Sequence, residues 1–200
     1  HLHAHTEYSM LDGAAKIDDY LDRVKELNQP GAAITDHGNL YGALEFYHSA
    51  LKKKLIPIIG YEAYVINDSR FDRPDRENNK RYHLTLLAEN TVGYWNLVKM
   101  ASKAFTEGYY YKPRVDYELL KDHSEGIIAL SGCLGGEISQ FLAPDGSVEE
   151  GNQEGERSFS KALSELTTFI PSPPVVRLTT YDLPLPGPPA RKNALSMLGS

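Results

Sequence analysis

Short apolar runs alternate with amphipathic stretches up to about residue 142, and this alternation constrains the fold more than any other feature of the chain. The runs Ala32–Thr35, Leu55–Val65, His83–Ala88 and Gly126–Ser131 have the length and character of buried strands. His1–His5 reads as the end of a first strand. Between the runs, Ile17, Tyr20, Leu21, Val24 and Leu27 follow a helical period, with Asp18, Asp19, Asp22 and Lys25 on the other side. Leu40, Tyr41, Leu44, Tyr47, Leu51 and Leu55 repeat the pattern, with Asn39 as a candidate cap. Val92, Trp95, Val98 and Ala101 repeat it again behind Asn90–Thr91, a candidate N-cap pair. Strand–helix repetition of this kind predicts βα units and a mainly parallel sheet or barrel, an α/β fold.

Other features narrow the class. The 200 residues suffice for one domain with a core that folds without staples. A single cysteine rules out a disulfide framework and a cysteine-only zinc site, and it fits a reducing, cytoplasmic setting. No run approaches the roughly 20 apolar residues that span a bilayer, and no signal-peptide pattern is present. A net charge of −6 argues against a general nucleic-acid coat, though not against an enzyme that meets phosphate through bound metal. The start on His1 rather than methionine implies that residues upstream have been removed.

Two stretches break the rhythm. Asn67–Lys80 is charged, contains a proline and has few apolar side chains, so it is expected to be a mobile surface loop. Tyr109, Tyr110 and Tyr111 are consecutive and read either as loop aromatics covering the domain or as a stacking platform for nucleobases. The end of the chain differs in kind: seven of the twelve prolines lie between Pro171 and Pro189, and only Val175–Tyr181 has strand character. The expected organisation is a domain over 1–155 and an atypical, proline-rich tail over 156–200, disordered or produced by a reading-frame shift.

The chemistry concentrates in His-Leu-His-Ala-His. On a strand, His1, His3 and His5 would point to one side, and two imidazoles on one rigid strand can share a metal ion. Alone, the pattern is equally a tag remnant or a surface accident. Further residues weigh against chance. An apolar strand ends in Asp36-His37 and turns at Gly38. Glu62 is embedded in the apolar run PIIGYEAYV, where a carboxylate is costly unless paired or metal-bound. His83 opens the next strand and Cys133 follows another, although a satisfied core histidine and a small buried thiol are bland alternatives. Ser131 and Cys133 have no obvious base beside them in SGCLGG, which argues against covalent catalysis.

The phrases HLHAHTEYSMLDGAAK, AAITDHGNLYGALEFY, PIIGYEAYV, HLTLLAEN, GYWNLVKMASKA and GIIALSGCLGGEI carry a family resemblance. Together they resemble the PHP (polymerase and histidinol phosphatase) domain at the amino terminus of bacterial DNA polymerase III alpha subunits, over residues 1 to about 155. The resemblance implies a distorted β/α barrel, here incomplete, holding two or three divalent ions (Zn, Mn or Fe, or else Mg). Residue by residue, it implies His3, His5, Asp12, His37, Glu62, His83 and Cys133 as metal ligands, with Glu62 bridging two ions. His3, His5, His37 and Glu62 are then the catalytic set, whereas His1, His48 and His123 match no ligand.

The implied activity is metal-dependent phosphodiester hydrolysis of a 3′–5′ exonuclease, proofreading type within a DNA-directed DNA polymerase (a nucleotidyltransferase). The implied partners are DNA at a primer 3′ end, the remaining polymerase domains and other replicase subunits. A free-standing phosphoesterase acting on small monoesters and a non-catalytic structural module are the alternatives. One departure stands out: the family closes its site with a late Asp-x-His pair, and this chain has none after Cys133.

Overall fold

A computed structural model describes residues 1–10, 12–75 and 78–142, the side chains of Phe141 and Leu142 excepted. The tail expected over 156–200, with its strand-like Val175–Tyr181, lies outside the described residues. In chain order the elements are α1 (Ile17–Glu26), β1 (Gly31–Ile34), α2 (Ala43–Lys52), β2 (Ile56–Ile66) and β3 (Tyr82–Ala88). They continue with α3 (Thr91–Thr106), β4 (Arg114–Asp116), α4 (Tyr117–Asp122), β5 (Ile127–Leu130) and α5 (Glu137–Leu142). Among the described residues, no helix is long and apolar enough to cross a membrane.

The strands form one mixed five-stranded sheet in the order β1-β2-β3-β5, with β4 also on β2. The long strand β2 organises it. Its first half pairs in parallel with β1, its last residues pair in parallel with β4, and β3 lies antiparallel along its other side. β5 is antiparallel to β3. The expected mainly parallel sheet is therefore corrected to an even mixture of pairings. The reason is the connection from β2 to β3, whose described residues form no crossover helix, so the chain returns beside β2 in the opposite direction. The expected first strand is corrected too. His1–Ala4 lies beside β1, where the carbonyls of His1 and Ala4 accept from Ala33 N and Thr35 N, but it does not extend into a ladder.

Side-chain alternation splits the sheet into two faces. Tyr61, Ala63 and Val65 of β2 pack with Leu84 and Leu86 beneath Leu97, Met100 and Ala104 of α3. Ala32 and Ile34 of β1 pack with Ile17, Leu21 and Val24 of α1 and Phe46 of α2. The opposite face carries a smaller apolar layer of Ala33, Leu87 and Leu130, joined by Leu2, Ile58 and Ile128. Glu62 shares the parity of Ile58 and so faces that same side, further along the strand.

Two helices bury a face other than the one their bulky residues suggest. In α2 the core side is Ala43, Phe46 and Ala50, while Leu44, Tyr47 and Leu51 are exposed. In α3 it is Gly93, Asn96, Leu97, Met100, Ala101 and Ala104, leaving Val92 and Trp95 exposed. Small residues on the core side let the helices approach the sheet closely. A Cβ on Gly93 would stand 1.8 Å from the Gly126 carbonyl, so this contact excludes any larger residue. Asn90 is the N-cap of α3 and accepts from Gly93 N, as expected, whereas the N-cap of α2 is Gly42 rather than Asn39.

The described part of the stretch Asn67–Lys80 is tied down, contrary to the expected mobile loop. Arg70 is 7 % exposed and pairs with Asp116, Glu107 and Glu118. Arg114, 1 % exposed, donates to the carbonyls of Gly108, Arg70 and Asp72. Charge count alone suggested solvent, but these guanidinium groups use their donors to close a loop over β4.

Candidate metal centre

Chain direction explains how separate strands bring their polar residues to one end of the sheet. His37 follows the C-terminal end of β1, where its backbone bridges Glu62 on β2, and Cys133 follows the C-terminal end of β5. Because β3 runs antiparallel to both β2 and β5, its start lies at that same end, and His83 is its second residue. His3 and His5 arrive on the segment beside β1.

Glu62 is the hub and is fully buried. His3 Nε2 lies 2.6 Å from Glu62 Oε2, and His5 Nε2 lies 3.8 Å from the same oxygen. His37 Nδ1 and His83 Nδ1 each lie 2.7 Å from the other oxygen, Oε1. His37 Nε2 is 2.7 Å from Asp12 Oδ2. Cys133 Sγ is 3.3 Å from His83 Nδ1 and accepts from Gly135 N. All seven residues singled out from the sequence are thus in one connected cluster. His1 and His48 are exposed elsewhere, and His123 contacts the Leu119 carbonyl at the end of α4. The sequence around Cys133 offered no neighbouring base; the fold supplies His83.

The donor set fits divalent metal ions. His3, His5 and Glu62 form one group with converging ligand atoms, and His37, Glu62 and His83 form a second. Glu62 Oε1 is buried without a hydrogen-bond partner, although two imidazole nitrogens lie 2.7 Å away. His37 Nδ1 is orphaned in the same way. Buried polar atoms this close that do not meet the angles of a hydrogen bond are ones that a bound ion would satisfy. One carboxylate with four surrounding imidazoles, a thiol and a second carboxylate is the nitrogen, oxygen and sulfur set that Zn, Mn or Fe accepts.

The electrostatics of Glu62 and His5 agree with metal binding. His37, raised against burial by Glu62 and Asp12, and His83 instead favour the protonated form, whose proton an ion would have to displace. Burial would push the Glu62 carboxyl up, but contacts from His3, His37 and His83 outweigh it and hold the group well below the usual carboxylate range. His5 is pushed down by burial and by His37, which favours the neutral imidazole that binds metal. His83 is pushed up to about 10 by Cys133 and Glu62, and His83 in turn pulls the Cys133 thiol down against burial.

Sequence reading missed the residue that positions the histidine segment. Asp36, 1 % exposed, accepts from Thr6 N at 2.6 Å, Thr6 Oγ1 at 2.8 Å and Ser9 Oγ at 2.7 Å. Ser9 Oγ also accepts from His37 N, so one carboxylate links the segment carrying His3 and His5 to the turn carrying His37. Asp36 was visible only as half of an Asp-His pair, because its partners lie 27 to 30 residues away. The centre opens into a cleft of about 760 Å³ whose walls include Asp12, His37, His83, Tyr64, Arg81 and Lys112.

The chain is 56 % identical over 149 residues to DNA polymerase III subunit alpha of Thermus aquaticus, covering 72 % of this chain and 12 % of that protein. It is 52 % identical over 150 residues to the Deinococcus radiodurans subunit, covering 71 % of this chain and 11 % of the relative. For the Helicobacter pylori subunit the figures are 47 % over 162 residues, 81 % and 13 %. The chain therefore spans about an eighth of the length of these relatives. Among solved structures, an amidohydrolase from Chromobacterium violaceum superposes with a TM-score of 0.38 and 22 % identity, covering 52 % of this chain and 32 % of that one, too distant to carry an argument. The PHP domain family matches residues 1–172, and the chain belongs to that family.

Proposed function

We propose that this domain hydrolyses phosphodiester bonds at the 3′ end of DNA, as the metal-dependent exonuclease part of a replicative polymerase III alpha subunit. One observation carries the reading: a fully buried carboxylate stands between two imidazole groups, with ligand atoms packed closer than their own hydrogen bonding explains. His3 and His5 would hold an ion on one side of Glu62, and His37 and His83 an ion on the other. Asp12 and Cys133, at the margins of the second group, would complete the ligand set for two or three ions. When bound, such ions supply charge neutralisation on phosphate and a water made nucleophilic near neutral pH. The protein's own contribution is to keep Glu62 ionised, to favour neutral His5 and to keep the cleft open to a phosphate, while ion binding would displace the protons that His37 and His83 favour. No side-chain nucleophile is needed.

The five strands are read as an arc of the distorted β/α barrel of this family. Remaining polymerase domains, other replicase subunits and a primer 3′ end are the partners this reading implies, in the cytoplasm. The test uses the purified 200-residue chain with Mn²⁺ or Zn²⁺ on a 3′-labelled oligonucleotide and on a small phosphate monoester. Release of nucleotides from the 3′ end is expected. Turnover of the monoester without attack on DNA ends would overturn the reading.

A further inference from the structure

The cleft beside Glu62 is walled by rings as well as by candidate ligands. Tyr41, Phe105, Tyr109 and Tyr111 line it, with exposures of 66, 37, 53 and 62 %. They come from the turn before α2, the end of α3 and the loop into β4. The first three form a row: Tyr41 and Phe105 centroids are 6.2 Å apart, and Phe105 and Tyr109 are 6.1 Å apart and nearly parallel. Tyr111 adopts a φ of +62°, the left-handed region that a bulky side chain rarely occupies, and its ring stays out in the cleft. A row of rings left this exposed marks a binding surface, and its place at the mouth of the candidate active site points to a ligand of that site.

The same cleft carries cationic groups. Arg81 and Lys112 line it, and Lys112 Nζ lies 5.3 Å from the Tyr64 ring centroid. The Tyr64 ring stacks in turn 6.1 Å from His37. Rings on the rim with cations beside the ligand cluster match a polymer of flat bases on a charged backbone. A small phosphate monoester would leave the rings unused, and a duplex would hide its base faces.

We propose that Tyr41, Phe105 and Tyr109 form a stacking platform for unpaired bases of single-stranded DNA, with Arg81 and Lys112 holding its backbone as the 3′ end enters the His37–Glu62–His83 group. This deepens the phosphodiester reading of the same cleft and rests on it for the choice of ligand. Exposed aromatic platforms beside basic side chains bind single strands in a way that tolerates any sequence.

The experiment measures fluorescence anisotropy of a labelled oligothymidylate and of an abasic oligomer of equal length, with the 200-residue chain at low salt in EDTA. The chain should bind the natural strand more tightly than the abasic one by about a hundredfold or more, since at least two rings each contribute about tenfold. Tyr41→Ala and Tyr109→Ala should each lose about tenfold on the natural strand and nothing on the abasic one. Both side chains are largely exposed, and circular dichroism checks that the variants fold. Lys112→Ala should weaken binding of both strands and flatten the salt dependence. Equal affinity for the two strands, unchanged binding in both tyrosine variants, or no binding by the parent chain would overturn the platform. No hydrolysis is read, so the two proposals fail separately. Base-dependent binding without nuclease activity removes the earlier reading, and nuclease activity without base dependence removes this one.

Discussion

Replacing Asp36 by asparagine changes almost no volume but removes the charge that gathers the histidine segment. Three donors point at its carboxylate: Thr6 N, Thr6 Oγ1 and Ser9 Oγ, at 2.6, 2.8 and 2.7 Å. In Asp36→Asn the amide oxygen can keep Thr6 N and Ser9 Oγ, while the amide nitrogen faces a hydroxyl that can turn to accept. Each surviving bond loses its charge assistance, about 1 kcal/mol apiece, so the folded state loses about 2–3 kcal/mol. His3 and His5 are then less firmly held opposite His37 and His83, and if they are ligands as proposed, a change behind them should lower metal affinity about 10- to 100-fold. Urea unfolding in EDTA isolates the stability effect from metal binding, and a Zn²⁺ titration of the folded variant gives the affinity effect. A variant within about 0.5 kcal/mol of the parent, with undiminished affinity, would refute the assignment of Asp36 as the positioning residue.

Two further outcomes follow from the same contacts. Arg70→Ala leaves the buried Asp116 carboxylate with only the backbone N–H groups of residue 70 and Leu119 and no counter-charge, and should cost about 2–3 kcal/mol in urea unfolding; a cost under about 1 kcal/mol would mean that those backbone donors and Arg114 suffice to hold the 67–75 loop. Stripping metal with EDTA should lower Tm by about 5–10 °C relative to metal held at about 100 times its Kd, as calorimetry would show; an unchanged Tm would mean that the folded chain binds no metal in preference to the unfolded one.

How much was legible in advance depended on the range of the interaction. Strand positions were readable because each apolar run is local; the structure moves their ends by a residue or so, as with β1 at Gly31–Ile34 against the expected Ala32–Thr35. Strand direction was legible at one place: 67–80 read as a loop, and a connection without a crossover helix implies an antiparallel return, but the strand–helix alternation elsewhere outweighed it. The buried faces of α2 and α3 were misread because bulky Leu44, Tyr47 and Trp95 dominate the hydrophobic count, while Ala43, Ala50 and Gly93 make the close packing. The strand β4 escaped notice because it is three residues long and carries Arg114 and Asp116, whose burial depends on partners in a distant loop. His3, His5, His37, Glu62 and His83 stood out by residue type and by resemblance. Their convergence on the two oxygens of Glu62, and the support from Asp36, exist only in three dimensions.

Metal content tests the central claim most directly. The 200-residue chain, purified, loaded with Zn²⁺ or Mn²⁺ and dialysed, should retain at least two ions per molecule by elemental analysis. Glu62→Gln, nearly isosteric but unable to bridge, should retain at least one fewer. Retention of no metal by the parent chain, or equal retention by the two proteins, would contradict a centre built on Glu62.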